Sequence, residues 1–290
     1  MKNDTMELIC QWDSIKARKL LEDFYGFSSK LINKLELEGL IRLEGRKIQL
    51  NKSLYKDDIV TVDFLDEEDE YTKVKMNLNI IYEDDDLLII NKQPFIVVHP
   101  TRRHQDDTIA NGVSYYFFEN QINRKVRFVN RLDMNTTGVL IIAKNPYAHN
   151  MVSQQMRKNK VKKTYIAILD GILPVKEDTI NQNIGRIGDN IKREVHESGK
   201  ACVTHYKVLQ ENNGLSLVEV SLETGRTHQI RVHFDFLGTP VLGDNLYGKS
   251  SSLINRQALH CQSIEMIHPR TGELIRLEAD LPEDMKSLLN

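Results

Sequence analysis

The sequence of 290 residues predicts an α+β protein in two unequal domains, residues 1–72 and 73–290. Three observations carry that expectation. Short apolar or alternating runs joined by turn signals read as hairpins over 79–90, over 201–223 and around 268–272, and Asn213-Gly214 is the strongest of these signals. Helical spacing appears in residues 15–24, in the stretch after Ser28, and at Ile230, Phe234 and Leu237. Between the two parts lies Asp66-Glu67-Glu68-Asp69-Glu70, a run that repels itself, stays hydrated and reads as a mobile linker.

In the first part, Ser28 is a good N-cap and Phe27 is placed to staple onto Ile32, with Gly39 as the stop. Residues 40–43 and 47–50 read as short strands around Glu44-Gly45-Arg46, and 59–64 as a last strand. This layout resembles the small RNA-binding domain first described in a ribosomal small-subunit protein, the alpha-L domain. The resemblance implies phosphate contacts from Lys16, Arg18, Lys19, Lys30 and Lys34. Acids at Glu22, Asp23, Glu36 and Glu38 dilute that charge, and Glu44-Gly45 stands where Asn-Gly is usual.

Bulk properties exclude several classes. With 39 basic and 41 acidic residues the net charge is −2, so any nucleic-acid face must be local. Cys10, Cys202 and Cys261 are scattered, which argues against a disulfide framework or a zinc site and fits a reducing compartment. No apolar run reaches membrane length and no signal peptide is present, so a cytoplasmic protein is expected. His228 and His233 are five apart, the wrong spacing for a zinc helix, and no nucleotide-binding glycine loop exists. No metal and no cofactor is expected. The oligomeric state stays open, a monomer included.

The chain is organised around Asn130-Arg131-Leu132-Asp133-Met134-Asn135-Thr136-Thr137-Gly138, which runs into Val139-Leu140-Ile141-Ile142-Ala143. The apolar run reads as a buried strand, with Asp133 on the loop at its entrance. By local composition alone Asp133 is an Asx-turn or cap residue. The stretch nevertheless resembles the signature of the RluA-type pseudouridine synthases, with Asn130 in place of the usual His. Further stretches match: Lys163-Thr164-Tyr165-Ile166-Ala167, then Arg226-Thr227-His228-Gln229-Ile230-Arg231, then Gly243-Asp244-Asn245-Leu246-Tyr247-Gly248 and Arg256-Gln257-Ala258-Leu259-His260. The resemblance covers about residues 79–282. Asn91-Lys92-Gln93-Pro94-Phe95 departs from it, with Gln93 for Pro and Phe95 for Gly. Phe resists the positive φ that glycine allows, so a different local turn is expected there and no role is carried over to Lys92.

The resemblance implies a catalytic domain with a mixed, mostly antiparallel sheet and an active cleft across its middle. It implies isomerisation of uridine in RNA to pseudouridine. The N1–C1′ bond breaks, the uracil turns and rejoins through C5, and one carboxylate acts as nucleophile or base. Asp133 takes that role, whether by attack on the ribose, addition to the base, or removal of a ribose proton. The resemblance also implies that Tyr165 lies on the uracil face and that Arg231 holds the carboxylate ionised. Arg131 fills the gap left by the flipped uridine. Arg226, His228, Lys162 and Lys163 are the further RNA-binding candidates. Basic residues on both sides of the loop, Arg102, Arg103, Arg124, Lys125 and Arg127 before it and Arg157, Lys158 and Lys160 after it, suggest a phosphate-tracking surface. Thr227 is the expected cap of the helix carrying Arg231. The expected substrate is large-subunit ribosomal RNA. Transfer RNA, or a non-catalytic role in RNA binding or ribosome assembly, are the alternatives. A hydrolase would need two carboxylates at a set separation, and the sequence offers one.

Overall fold

The computed structural model describes residues 5–64, 67–186 and 192–288. Among them the larger part is built on a ten-stranded sheet. Its order is Glu177–Asn181, Val203–Asn212, Leu215–Leu222, Lys162–Asp170, Leu259–Ile267, Thr137–Ala143, Leu87–Lys92, Ile80–Glu83. Leu274–Glu278 pairs with Leu259–Ile267, and Arg127–Phe128 pairs with Thr137–Ala143. One of its ladders is parallel, where Thr137 and Gly138 run beside His260 and Cys261; the others are antiparallel. The sheet is mixed and mostly antiparallel, as expected, and with its flanking helices the fold is α+β.

That parallel contact joins the two halves of the sheet and explains the glycine of the central motif. Gly138 has φ +112°, and a Cβ added to it would lie 2.1 Å from the Cys261 carbonyl oxygen. Only glycine permits that approach. All seven residues of Thr137–Ala143 are buried, so the polar loop before them is delivered to the middle of the sheet. The 213–214 turn also follows its sequence. Asn213 and Gly214 have φ of 51° and 78°, as a two-residue type I′ hairpin requires.

The N-terminal part carries a second sheet in the order Thr5–Ile9, Ile59–Asp63, Ile41–Leu43, Arg46–Lys47. The helix Ser29–Glu38 begins where expected: the Ser28 hydroxyl accepts from the Leu31 amide at 3.3 Å, and Gly39 ends it at φ 71°. Ile15 and Lys16 form a bridge strand with Ser53–Leu54 rather than helix, so helical geometry starts at Ala17. Thr5–Ile9 was not foreseen. It pairs with Ile59–Asp63 across more than fifty residues, a partnership no local pattern encodes.

The acidic run does not behave as a free tether. Asp66 lies outside the described residues, but Glu67 is ion-paired with Arg127 and lies 3.6 Å from Lys34. Glu70 pairs with Lys125 at 2.8 Å. An Asp69 oxygen accepts from the Val126 amide at 3.3 Å, and burial raises the Asp69 pKa despite such backbone donors. The expectation of a hydrated, unpacked run assumed no cations nearby, and folding brings them to it.

The apolar side chains of residues 6–64 form their own cluster, entered from the larger part by the buried Tyr147 of the helix Pro146–Arg157, with Met151 of the same helix packed against it. The Tyr147 ring lies 4.4 Å from that of Phe27 and 6.4 Å from that of Phe64, and its hydroxyl donates to the Pro269 carbonyl at 3.0 Å. Beside it Asn150 donates to Gly26 O at 3.3 Å. Tyr147→Ala should therefore cost about 3 kcal/mol or more of stability, the usual range for a buried aromatic truncated in a core. It should also speed proteolysis near residues 67–70. Urea midpoints and limited digestion check this, and an unchanged midpoint would show that the plug does not hold the two parts together.

Candidate active site

The Asp133 loop is held from below by side chains far away in sequence. Lys92 is fully buried, and its ammonium donates at 2.9 Å to each of three carbonyls, those of Gln93, Met134 and Thr136. Arg256, also buried, donates to Asn135 O at 3.3 Å while Asp284 holds it by two bonds of 2.7 and 2.8 Å. Asn130 stands where the motif usually has His. Its amide donates to Val139 O at 3.2 Å and accepts from the Ile141 amide at 2.8 Å, fastening the loop to the strand it precedes.

The carboxylate meets its partner across the cleft. Arg231 Nη1 donates to Asp133 Oδ2 at 2.7 Å. The other side of the same guanidinium is held by Asp244 through Nε at 2.6 Å and Nη2 at 2.9 Å. The Asp244 side chain is fully buried and also accepts from the Leu246 and Tyr247 amides. Tyr247 lies under the guanidinium, 5.0 Å from its ring centroid. Burial disfavours the Arg231 charge, but Asp244 and Asp133 outweigh it and push its pKa up. Arg231 is thus a fixed cation with one edge offered to Asp133. Among the described residues Asp133 Oδ1 has no hydrogen bond, and the side chain is 25% exposed.

The segment before Arg231 corrects the expected cap. The helix is Gln229–Phe236, Arg231 lies in its first turn, and Thr227 makes no cap. His228 occupies the cap position at φ 59°. The Gln229 side chain instead ties down the turn before the helix: it accepts from the Arg226 amide at 3.0 Å and the Thr224 hydroxyl at 2.9 Å and donates to Val203 O at 3.0 Å. So fixed, His228 puts Nε2 3.7 Å from Asp133 and Nδ1 2.9 Å from the Tyr247 hydroxyl. Burial lowers its pKa more than Asp133 raises it.

Tyr165 closes the floor. It is buried beside Cys261, its cross-strand neighbour. Burial, then Cys261 and Asp133, raise its pKa well above the ordinary value, so its hydroxyl keeps its proton at neutral pH.

Six of the eight residues singled out in the sequence line this one cleft: Arg131, Asp133, Tyr165, Arg226, His228 and Arg231. The other two do not. Lys162 alternates to the opposite face of its strand from Tyr165 and pairs with Glu265 at 2.8 Å. Lys163 shares the Tyr165 face but is half-buried near Cys261, and burial lowers its pKa although Cys261 opposes the fall. Of the wider basic set, Lys125 and Arg127 are taken by the acidic run and Arg124 is buried. Phe95 does adopt the positive φ that was expected to be resisted, at 63°.

Lys92 and Asp244 are the site residues that sequence reasoning missed. Burial pulls the Lys92 pKa down to about 7 although Asp133 opposes the fall. Lys92→Met should lower turnover about 100-fold, the scale of a reacting group displaced by an ångström. The pH dependence has a definite sign. The folded pKa of about 7 is below the ordinary 10.5, so the unfolded chain holds the extra proton between those values. Lys92 therefore makes stability rise with pH through that window. Lys92→Met should flatten the rise, and melting temperatures of both proteins against pH decide.

Residues 86–236 match the family model described as RNA pseudouridylate synthase. An uncharacterised RNA pseudouridine synthase of Bacillus subtilis, YhcT, is 48% identical over 214 residues, 73% of this chain and 71% of that protein. Ribosomal large subunit pseudouridine synthase D of Pseudomonas aeruginosa is 38% identical over 236 residues, 76% of this chain and 73% of that one. Among solved structures, human RNA pseudouridylate synthase domain containing 1 aligns with a TM-score of 0.60 and 29% identity, covering 70% of this chain and 83% of that chain.

Proposed function

The chain belongs to the RNA pseudouridylate synthase family, of the RluA type, and isomerises uridine in RNA; from that premise we propose that its substrate is large-subunit ribosomal RNA and that Asp133 carries the reaction. The observation that supports the catalytic assignment is the ion pair at the middle of the sheet. It fixes a partly exposed carboxylate in a cleft, with one oxygen held by Arg231 and the other unengaged among the described residues. The ribosomal assignment is supported by the similarity to the ribosomal large subunit pseudouridine synthase D of Pseudomonas aeruginosa.

The uridine leaves its stack and enters the cleft, with Arg131 at the rim in the place it vacates. Tyr165 supports the uracil face. Asp133 Oδ1 is the reacting oxygen while Arg231 holds Oδ2. The N1–C1′ bond breaks, the ring turns, C5 bonds to C1′, and the C5 proton departs as N1 gains one. Tyr165 accepts that proton only as its own hydroxyl proton is passed on. Arg226 and His228 contact the RNA from the helix side. Residues 1–72 add phosphate contacts through Lys16, Lys19 and Lys30, while Arg18 and Lys34 already have acidic neighbours in Glu22 and Glu67.

The test is tritium release. Isomerisation frees the hydrogen at C5, and hydrolysis of the glycosidic bond does not. Purified protein should release tritium from C5-tritiated large-subunit ribosomal RNA made in cells lacking it. Release from transfer RNA alone would overturn the substrate assignment.

A further inference from the structure

We infer that Phe95 is a stacking platform for an RNA base beside the target uridine. The inference rests on the isomerisation of uridine in RNA and not on which RNA is used. Two costs coincide at this residue. Its φ of 63° lies in the left-handed region, where a bulky side chain is strained. Burial does not compensate, because Phe95 is 52% exposed. Fold stability alone favours Gly or Asn there. A strained backbone under a solvated aromatic ring is explained by contact with something outside the chain.

Its placement says what. Lys92 donates at 2.9 Å to Gln93 O, two positions before Phe95, and at 2.9 Å to Met134 O, next to Asp133. One buried ammonium thus ties the turn carrying Phe95 to the loop carrying Asp133. Met134, 38% exposed, is the large apolar side chain presented by that loop. Further along the Phe95 segment, His99 packs edge-on to Phe128 with ring centroids 4.7 Å apart and lies within electrostatic reach of Arg131. The segment therefore runs along the same rim as Arg131 and Met134. When a uridine is drawn out of its stack, the bases on either side each lose a partner. An exposed ring at the rim replaces one of them, and because every base has a π-face it does so without fixing the sequence.

Phe95→Gly, Phe95→Trp and Phe95→Leu distinguish the possibilities. The assay is tritium release from total cellular RNA carrying C5-tritiated uridine, prepared from cells lacking the protein. Ribosomal and transfer RNA are both present, so the assay still runs if the ribosomal assignment fails. Phe95→Gly should melt no lower than wild type, since it relieves the strained φ. Its half-saturating RNA concentration should rise about tenfold, with maximal rate within about twofold of wild type, as expected for loss of one base–aromatic stack. Phe95→Trp should restore tight binding. Phe95→Leu, which keeps apolar bulk without a ring face, should resemble Phe95→Gly. Wild-type half-saturation in Phe95→Gly, or in Phe95→Leu, overturns the inference. So does a fall in maximal rate with half-saturation unchanged, which would make Phe95 a support for the Asp133 loop.

Discussion

Asp133→Asn should bind RNA with affinity within about twofold of wild type and lose turnover by about 10⁴-fold or more, the scale seen when a covalent or proton-transferring group is removed. The substitution keeps the size of the side chain and its place in the loop, which Lys92, Arg256 and Asn130 hold through backbone carbonyls and strand bonds rather than through the carboxylate. Arg231 keeps its two bonds to Asp244, so the cleft stays formed. What disappears is the anion. One secondary effect follows from the geometry. Asp133 opposes the burial that lowers the Lys92 pKa, so in Asp133→Asn that pKa should fall further below about 7. Rates at saturating RNA, together with filter-binding affinity, test the first expectation. Turnover near that of wild type in a folded variant would remove Asp133 from the chemistry.

Arg231→Ala should be the most disruptive single change to the site, for two separable reasons. Arg231 is the ion-pair partner of a fully buried Asp244. Removing one member of such a pair leaves an uncompensated buried charge and costs about 3–5 kcal/mol. Loss of activity in Arg231→Ala is therefore partly loss of fold. Arg231→Lys separates the two effects. It keeps a positive charge beside Asp244 but cannot hold Asp244 by two bonds and reach Asp133 with a third, because that needs the planar fork. The expected result is a folded protein with kcat lower by about 100-fold or more and half-saturation close to wild type. Unchanged kcat with weakened half-saturation would instead make Arg231 an RNA contact. Urea melts alongside the kinetics keep the two effects apart.

How much of this was legible in the sequence depended on the distance over which each feature is written. Ser28, Gly39 and the Asn213-Gly214 turn act on neighbours within a few positions, and each does what its residue type suggests. The Asp133 and Arg231 stretches were visible as motifs, and their meeting across 98 positions came from resemblance rather than from any local rule. Lys92 was not legible as a site residue because its three acceptors are backbone carbonyls, two of them more than forty residues away. Asp244 was hidden in a glycine-rich turn that reads equally well as a loop. The acidic run was misjudged because self-repulsion is written locally and the neutralising Lys125 and Arg127 are not. Lys162 and Lys163 differ by one position, and on a strand that places one on the Tyr165 face and the other away from it.

The most direct test of the account is pseudouridine mapping of ribosomal and transfer RNA from a strain lacking this protein, re-supplied with either wild type or Asp133→Asn at equal abundance. One or more pseudouridines of large-subunit ribosomal RNA should vanish in the deletion, return with wild type, and stay absent with Asp133→Asn. Their return with Asp133→Asn would contradict the role given to the carboxylate, and losses confined to transfer RNA would contradict the substrate.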